Sequence, residues 1–423
     1  MKRLRIIGIV IILALMVGVS GFPEITACKA EAKARPIVWG SPCPIGTVGG
    51  MFAWKALVYA VDEINKKGGI RLPDGMHPIK LELMDSRDLE PGVPVAEALL
   101  CLERLILEKK ADFIIGGPMR SEAGLAAMDL ATRYKKVLVL SVGNESPKLP
   151  AKVAKDPKKY DYVWLATSTV EAKLPLLLPL FDMIKDKWGF KKFYIITQDV
   201  SWGRGWGKVL SMLLPKKGWV KVGDAAFPQG STDFSSALLD AKEKGADLFT
   251  GAFDMAESTI LMKQWAALKV PTLPVCHITP GQPLAFWDST AGKCEYSILE
   301  GLGITSPRIN PWAEKYMKWA SKTDVASGDP IHNYCAAYCL KEAIEIAGSL
   351  DSEAVSKAFL KVDIKDSPYG RLKFDPKNHR WIMSNNPKEG AVIGWFQWQG
   401  RERVYIYPEA LVTGKAKLPP WRK

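Results

Sequence analysis

IVWGSPCPIGTVGGMFAWKALVYAVDEINKKGGI, residues 37–70, reads as a strand, a glycine-rich loop and a helix in immediate succession. Ile37 to Trp39 is a short apolar run, suited to a strand buried on both faces. Gly46 to Gly50 interrupts it. From there Phe52, Ala56, Ala60 and Ile64 recur at helical spacing and share one face. Gly68-Gly69 stops that helix, as glycine does at helix C termini. Ile79 to Met84 is the next strand. A strand, a helix and a further strand make a βαβ unit, and such units build parallel sheets covered by helices on both faces.

The same rhythm continues outward. Val95 to Glu108 is a predicted helix, Phe113 to Ile115 a strand, Ala123 to Tyr134 a helix and Val137 to Leu140 a strand. It restarts with strands at Phe193–Thr197, Val220–Ala226 and Leu248–Thr250, alternating with helices at Gly205–Leu214, Asp233–Lys244 and Ala256–Leu268. Two runs of alternation imply two α/β lobes. The Pro- and Lys-rich stretch Pro147 to Lys159 marks the boundary. Helices at Trp312–Ser321, Ile331–Ala347 and Glu353–Leu360 follow. A terminal hairpin pairs Val392–Trp398 with Val404–Tyr407. These last elements are expected to return onto lobes already built.

The 423 residues are 48% hydrophobic and 24% charged, which excludes a disordered, collagen-like or polytopic membrane chain. The one long apolar run is Ile6 to Val19, behind Lys2, Arg3 and Arg5. It is too short for a membrane span and has the length of a signal h-region. Residues 1–34 therefore read as an export leader, with cleavage after Ala32 or Ala34. Ile25-Thr26-Ala27-Cys28 also resembles a lipobox that would place a lipid on Cys28, and an uncleaved anchor is the third alternative. Each places the rest of the chain outside the cytoplasm. Of the seven cysteines, Cys276 and Cys294 lie close enough to close a loop; buried free thiols are the plainer reading for most. The net charge of +13 could signal a polyanionic partner. Its lysines instead recur as pairs, such as Lys66-Lys67, Lys135-Lys136 and Lys216-Lys217, at predicted helix ends where the helix dipole favours cations. No nucleic-acid partner is expected.

In open α/β sheets, ligands sit beyond the carboxyl ends of the strands. The loops there carry Gly, Ser, Asn, Asp and aromatics rather than a catalytic set. The four histidines show no HxH or HExxH spacing, and there is no GxSxG elbow. No metal, no cofactor and no enzymatic activity are therefore expected. Trp202 to Lys208 is glycine-rich, but Val209 follows the lysine where a phosphate loop needs Ser or Thr. It reads as a flexible turn ahead of a helix. Asp85, Asp88 and Glu90 read as a solvated capping loop. Trp202 reads either as a stacking wall for a ligand or as a cap over the second lobe's core.

Ala60-Val61-Asp62-Glu63-Ile64-Asn65-Lys66-Lys67-Gly68-Gly69-Ile70 resembles the A-x-x-x-I-N-x-x-G-G-I stretch of periplasmic branched-chain amino-acid-binding (Leu/Ile/Val-binding) proteins of ABC importers, the type I solute-binding fold. Phe113 to Gly117, Ser141 to Asn144, Tyr194 to Trp206, Asp233 to Leu238 and Gly394 to Trp398 resemble later blocks of that family in the same order, over roughly residues 36–400. The resemblance implies two doubly wound parallel-sheet lobes joined by a multi-crossover hinge. Lobe 1 would hold residues 35–165 plus about 306–389, and lobe 2 residues 166–305 plus about 390–423. It further implies that Arg120 and Ser121 stand at the turn holding an α-carboxylate. Asn144 and Glu145 would form a second carboxylate loop, Trp202 the stacking aromatic, and Phe253 the next aromatic with Asp254 beside it. The family's ammonium-binding acid falls near Cys276 or His277, where this chain has no acid. Arg120 replaces a small hydroxyl residue; it could bind a carboxylate through two parallel hydrogen bonds or be an exposed helix-terminal arginine. The expected protein is a monomeric periplasmic or extracellular receptor that passes an amino acid or related small carboxylate to an ABC permease. A sensor of the same fold, binding an amide or urea and acting on a regulatory partner, is the alternative.

Overall fold

The computed structural model describes residues 35–301, 312, 315–316, 318–320 and 328–422. The expected leader and Cys28 lie outside these residues, as does part of the predicted helix Trp312–Ser321.

The first sheet is wholly parallel. Its strands are β1 (Ile37–Cys43), β2 (Ile79–Asp85), β3 (Phe113–Gly116), β4 (Leu138–Leu140) and β5 (Val163–Leu165), in the order β2-β1-β3-β4-β5. Helices α1 (Val48–Lys66), α2 (Val95–Leu107), α3 (Ser121–Tyr134) and α4 (Lys148–Lys155) connect them. Thr47 caps α1 by accepting the N–H of Gly50, and α1 buries Ala53, Ala56, Leu57, Ala60 and Ile64. That is the stripe its sequence predicts.

The chain crosses to a second sheet after β5 through α5 (Val170–Trp188). This sheet contains β6 (Lys192–Gln198), β7 (Val220–Phe227), β8 (Leu248–Thr250), β9 (Leu273–Ile278) and β10 (Ile298–Gly301), parallel in the order β7-β6-β8-β9-β10. Helices α6 (Ser201–Leu213), α7 (Ser235–Glu243), α8 (Ser258–Ala267) and α9 (Leu284–Ser289) connect these strands. The chain then returns to the first sheet, where α10 (Gly328–Ala347) packs along α1 and is followed by α11 (Ser352–Phe359). It crosses once more to add the hairpin β11 (Gly394–Gln399) and β12 (Glu402–Tyr407) antiparallel to β10.

Three expectations need correction. The stretch Pro147–Lys159 is not a bare linker: it contains α4, which tolerates Pro150 because the first helical turn has no intrahelical partner for its N–H groups. Helix α5 went unrecognised because Pro175 and Pro179 interrupt its pattern, although its face Leu174, Leu177, Phe181 and Ile184 is buried. The glycine-rich stretch Trp202–Lys208 is not a flexible turn, since α6 already begins at Ser201.

Its glycines are there for close approach. A Cβ on Gly203 would lie 2.4 Å from the carbonyl oxygen of Gln198, and one on Gly205 would lie 2.9 Å from Cδ of Pro147, on the first-sheet side. The predicted cost of filling this contact is testable. In an exposed helix, Gly→Ala gains up to about 1 kcal/mol. Gly203→Ala is expected instead to lose about 1–3 kcal/mol by overpacking against the end of β6, read as a lowered denaturation midpoint. A raised midpoint would show that the strand end yields.

Candidate ligand-binding site

The strand order reverses beside β1 and β3 in the first sheet and beside β6 and β8 in the second. At such switch points neighbouring loops diverge and leave a crevice. The loops after these four strands converge on one cavity of about 560 Å³. Its apolar walls include Phe52, Leu89, Met119, Trp202, Met255 and Phe286.

On the first-sheet side stand Arg120, Ser121, Asn144 and Glu145. Arg120 caps the N terminus of α3, and its backbone N–H donates to Asp88 Oδ2 at 2.5 Å. Asp88 is buried and takes the Ser86 hydroxyl on its other oxygen at 2.5 Å. Of the expected solvated loop, Asp85 is exposed and Glu90 half-buried, whereas Asp88 is a buried carboxylate that fixes the start of α3. Burial pushes the Asp88 carboxyl up against those two hydrogen bonds. The Arg120 guanidinium forms no ion pair among the described residues. Ser121 Oγ accepts the N–H of Ser146 at 3.3 Å, and Ser146 Oγ lies 3.0 Å from Ser201 Oγ across the gap between sheets. Asn144, at φ +56°, donates its amide to the carbonyls of Pro118 and Val142.

On the second-sheet side stand Trp202, Asp254 and His277. The Trp202 indole N–H donates to Asp254 Oδ2 at 3.2 Å, and its ring meets His277 edge-on at 5.1 Å. Trp202 both lines the cavity and closes the core beneath it, being 8% exposed. Asp254 opens toward the cavity yet is surrounded by protein, and this enclosure pushes its carboxyl above the ordinary range. Phe253 does not join them. The two-residue strand Ala252–Phe253 turns its ring into the second core, edge-on to Phe234.

Behind Glu145 and His277 lies an ionic cluster that sequence reading missed. Lys173, in the first turn of α5, places Nζ 2.5 Å from Glu145 Oε2, 3.0 Å from Glu300 Oε1 and 3.1 Å from His277 Nδ1. It also sits over the Trp206 ring at 5.5 Å. The other oxygen of Glu300 lies 2.9 Å from His277 Nδ1. All four residues are buried. The first turn of α5 is docked by the Val170 N–H on the Glu145 carbonyl at 2.9 Å, which brings Lys173 over the Glu145 side chain. Val275 pairs with Ile298 and Cys276 with Leu299, so His277 and Glu300 are the next in-register neighbours at the strand ends. That register, with a lone lysine in the apolar run of α5, is the signal that could have revealed the cluster. Potential metal-ligand atoms of Glu145, His277 and Glu300 lie within 4.8 Å of one another, but the Lys173 ammonium already contacts all three. Cys43, Cys101, Cys276, Cys294, Cys335 and Cys339 are buried and form no disulfide with one another, so Cys276 is not joined to Cys294.

Two parallel sheets presenting their switch points to one apolar-walled cavity with charged ends define a two-lobed solute-binding protein. The chain belongs to the periplasmic binding protein family, whose model matches residues 44–385. It is 24% identical over 384 residues to a Leu/Ile/Val-binding protein homolog from Brucella melitensis, covering 86% of this chain and 89% of that one. Its fold is similar to the substrate-binding protein of a branched-chain amino acid transporter from Streptococcus pneumoniae in complex with isoleucine. There the TM-score is 0.70 at 19% identity, over 88% of this chain and 100% of that one. It is similar too to an ABC-transporter solute-binding protein from R. palustris in complex with benzoate, with a TM-score of 0.68 at 14% identity over 91% and 98% of the two chains.

The cluster implies a pH signature. Burial alone would raise the Glu300 carboxyl, but His277 and Lys173 together hold it below its ordinary value of 4.5. Glu145 goes the other way, lifted by burial despite Lys173. A depressed carboxylate stabilises the fold fully above its ordinary value and loses that contribution as pH falls below it. The stability gap between the wild-type protein and Glu300→Gln should therefore narrow as pH drops below about 4.5, measured by urea unfolding across pH. A gap independent of pH would remove Glu300 from the ionic cluster.

Proposed function

We propose that this protein is the extracytoplasmic substrate-binding component of an ABC importer and takes an amino acid or related small carboxylate into the cavity between two lobes. In this reading lobe 1 comprises residues 35–165 with about 306–389, and lobe 2 residues 166–305 with about 390–423. Residues 1–34 serve as the export leader, with or without a lipid on Cys28. The receptor works as a monomer and hands its ligand to a membrane permease. No helix among the described residues is long and apolar enough to cross a membrane.

The observation that carries the ligand class is Arg120. A guanidinium without an ion pair among the described residues stands at the N terminus of a 14-residue helix and faces an apolar-walled cavity. The helix dipole and the arginine fork both favour an anion there, and the fork matches a carboxylate in two-point geometry. Isoleucine and benzoate, held by two proteins of similar fold, share little except a carboxylate and an apolar body. Ser121 Oγ and the backbone N–H groups of the first α3 turn add donors at the same place. Trp202 then supplies a wall for the apolar body. In this reading the lobes close over the ligand by bending at the crossovers between them.

Isothermal titration against a panel of amino acids and aromatic and aliphatic acids tests the reading. At least one member should bind well below a millimolar dissociation constant; no such binder would count against it. Arg120→Ala should then weaken that ligand by about tenfold to a hundredfold, the worth of a charge-assisted hydrogen-bond pair. The melting temperature should be nearly unchanged, because the guanidinium forms no ion pair or hydrogen bond among the described residues. Undiminished binding would place the carboxylate elsewhere.

A further inference from the structure

Resting on that reading, we propose that Thr279 presents a hydrogen-bond donor to the cavity, set in that direction by His277 and Lys173, and selects carboxylic acids whose apolar body carries a second, uncharged oxygen acceptor. The argument begins with hydrogens. An ammonium has three of them and no lone pair. Lys173 Nζ has three acceptors around it, Glu145 Oε2 at 2.5 Å, Glu300 Oε1 at 3.0 Å and His277 Nδ1 at 3.1 Å. Burial works against its charge, but Glu145 and Glu300 push the Lys173 pKa above its ordinary value. The third N–H therefore meets a lone pair on Nδ1. A neutral imidazole that accepts at one nitrogen carries its hydrogen on the other, here Nε2. Glu300 Oε2 lies 2.9 Å from the same Nδ1 without making a hydrogen bond to it. If the ring took up a second proton, that oxygen would face it, and Nε2 would carry its hydrogen all the same.

His277 Nε2 lies 3.1 Å from Thr279 Oγ1, so the ring N–H donates and the hydroxyl oxygen accepts. One lone pair of the hydroxyl is used, and its hydrogen is left without an acceptor among the described residues. Thr279 is half-buried and lines the cavity. The other hydroxyls lining the second-sheet side have spent their hydrogens. Thr259 donates to the Ala256 carbonyl at 2.9 Å and Ser289 to the Phe286 carbonyl at 3.0 Å. The Trp202 N–H is likewise given to Asp254.

The direction matters because it decides whether this wall gives or takes a hydrogen. Were Nδ1 protonated and Nε2 bare, the threonine would donate to the ring and ask the ligand for a donor. With Lys173 beneath, the hydrogen points the other way, and a ligand that leaves it unpaired forfeits a hydrogen bond. A second carboxylate is disfavoured as the acceptor, since Asp254 and Glu257 line the same side. A ketone or similar neutral oxygen is the fitting group. Thr279 is thus a specificity-determining residue, and His277 and Lys173 are positioning residues behind it.

Nitrogen NMR of histidine-labelled wild-type protein, with His277→Gln identifying the resonances, tests the direction without any ligand. Nε2 should carry hydrogen; a bare Nε2 with a protonated Nδ1 would overturn the proposal. Calorimetric titration tests the selection with two pairs of probes in which a ketone oxygen replaces a methyl group: 4-acetylbenzoate against 4-isopropylbenzoate, and 5-oxohexanoate against 5-methylhexanoate. The affinity ratio of ketone to hydrocarbon should fall about threefold to tenfold in Thr279→Val, the worth of one neutral hydrogen bond, and should be kept in Thr279→Ser. Any loosening of the ring in Thr279→Val affects both members alike and cancels in the ratio. A ratio unchanged by Thr279→Val in both pairs would also overturn the proposal. If that variant does not fold, the wild-type NMR result decides. Failure of the wild-type protein to bind any of the four acids would instead count against the carboxylate-receptor reading, and the NMR result would stand apart from it.

Discussion

The ammonium of Lys173 is removed from water and held by Glu145, Glu300 and His277, which come from two different sheets. A buried lysine of this kind costs several kcal/mol in lost hydration and persists only where partners satisfy it. Here the partners are geometrically demanding. Glu145 sits on the loop after β4, His277 and Glu300 lie at the ends of adjacent strands of the second sheet, and Lys173 belongs to the helix that makes the first crossover. The cluster therefore requires that loop, the strand register and α5 all be in place together. Removing one member would leave the others charged and buried, which is more damaging than never having built the cluster. Its contribution is thus better described as fixing one arrangement than as adding stability.

The cavity depends on that arrangement. Its floor is the near side of the same cluster, since Glu145 and His277 face the cavity while Lys173 and Glu300 stand behind them. The wall above is set by the Trp202 ring, pinned at its N–H by Asp254 and along its edge by His277. The opposite wall is set by the start of α3, pinned by Asp88. Buried polar contacts of this sort are directional, unlike the apolar packing around them, and they hold functional side chains in place. The Ser146–Ser201 contact and the approach of Gly205 to Pro147 bring the two halves within touching distance beside the crossover. The strand-end loops beyond are left to form the walls of the opening.

The alternation of elements was legible because it rests on local periodicity. The stripe of α1, the strands of both sheets and the terminal hairpin follow from spacing two or about three and a half residues apart. Seven of the eight proposed site residues line one cavity for a topological reason: they lie on loops at strand ends, and the strand order makes those loops converge. Phe253 was misjudged because an aromatic at a strand end can turn either way, and only the packing against Phe234 decides. Lys173 and Glu300 were invisible because their meaning is pairwise. They are 127 residues apart in the chain, and neither residue alone distinguishes a cluster member from a surface charge. The same holds for Asp88, whose burial follows from where Arg120 presents its N–H. Helix α6 was shortened in the reading because glycine normally weakens helices. In this protein, contact with β6 and Pro147 outweighs that propensity.

The chain's charge and the cavity's charge have opposite signs, and they arise from different causes. Part of the excess of lysine and arginine stands at helix C termini. Lys66 closes α1, Lys135 caps α3 in the left-handed region, and Lys216 and Lys217 end the short turn after α6. There the cations meet exposed carbonyl groups and remain in water, where screening confines their effect to a few ångströms. The carboxylates of the cavity lie at the opposite ends of the elements, on loops where strands finish, and two of them, Glu122 in the first turn of α3 and Glu257 at the start of α8, stand where the helix dipole favours negative charge. In a βαβ fold, a basic residue at a helix end and an acidic residue at a helix start lie at opposite edges of the sheet. The ligand is met at the acidic edge. Among the described residues Arg120 is the one lysine or arginine lining the cavity, and it stands at a helix start, so an anion seated there would satisfy the guanidinium and the helix N terminus together.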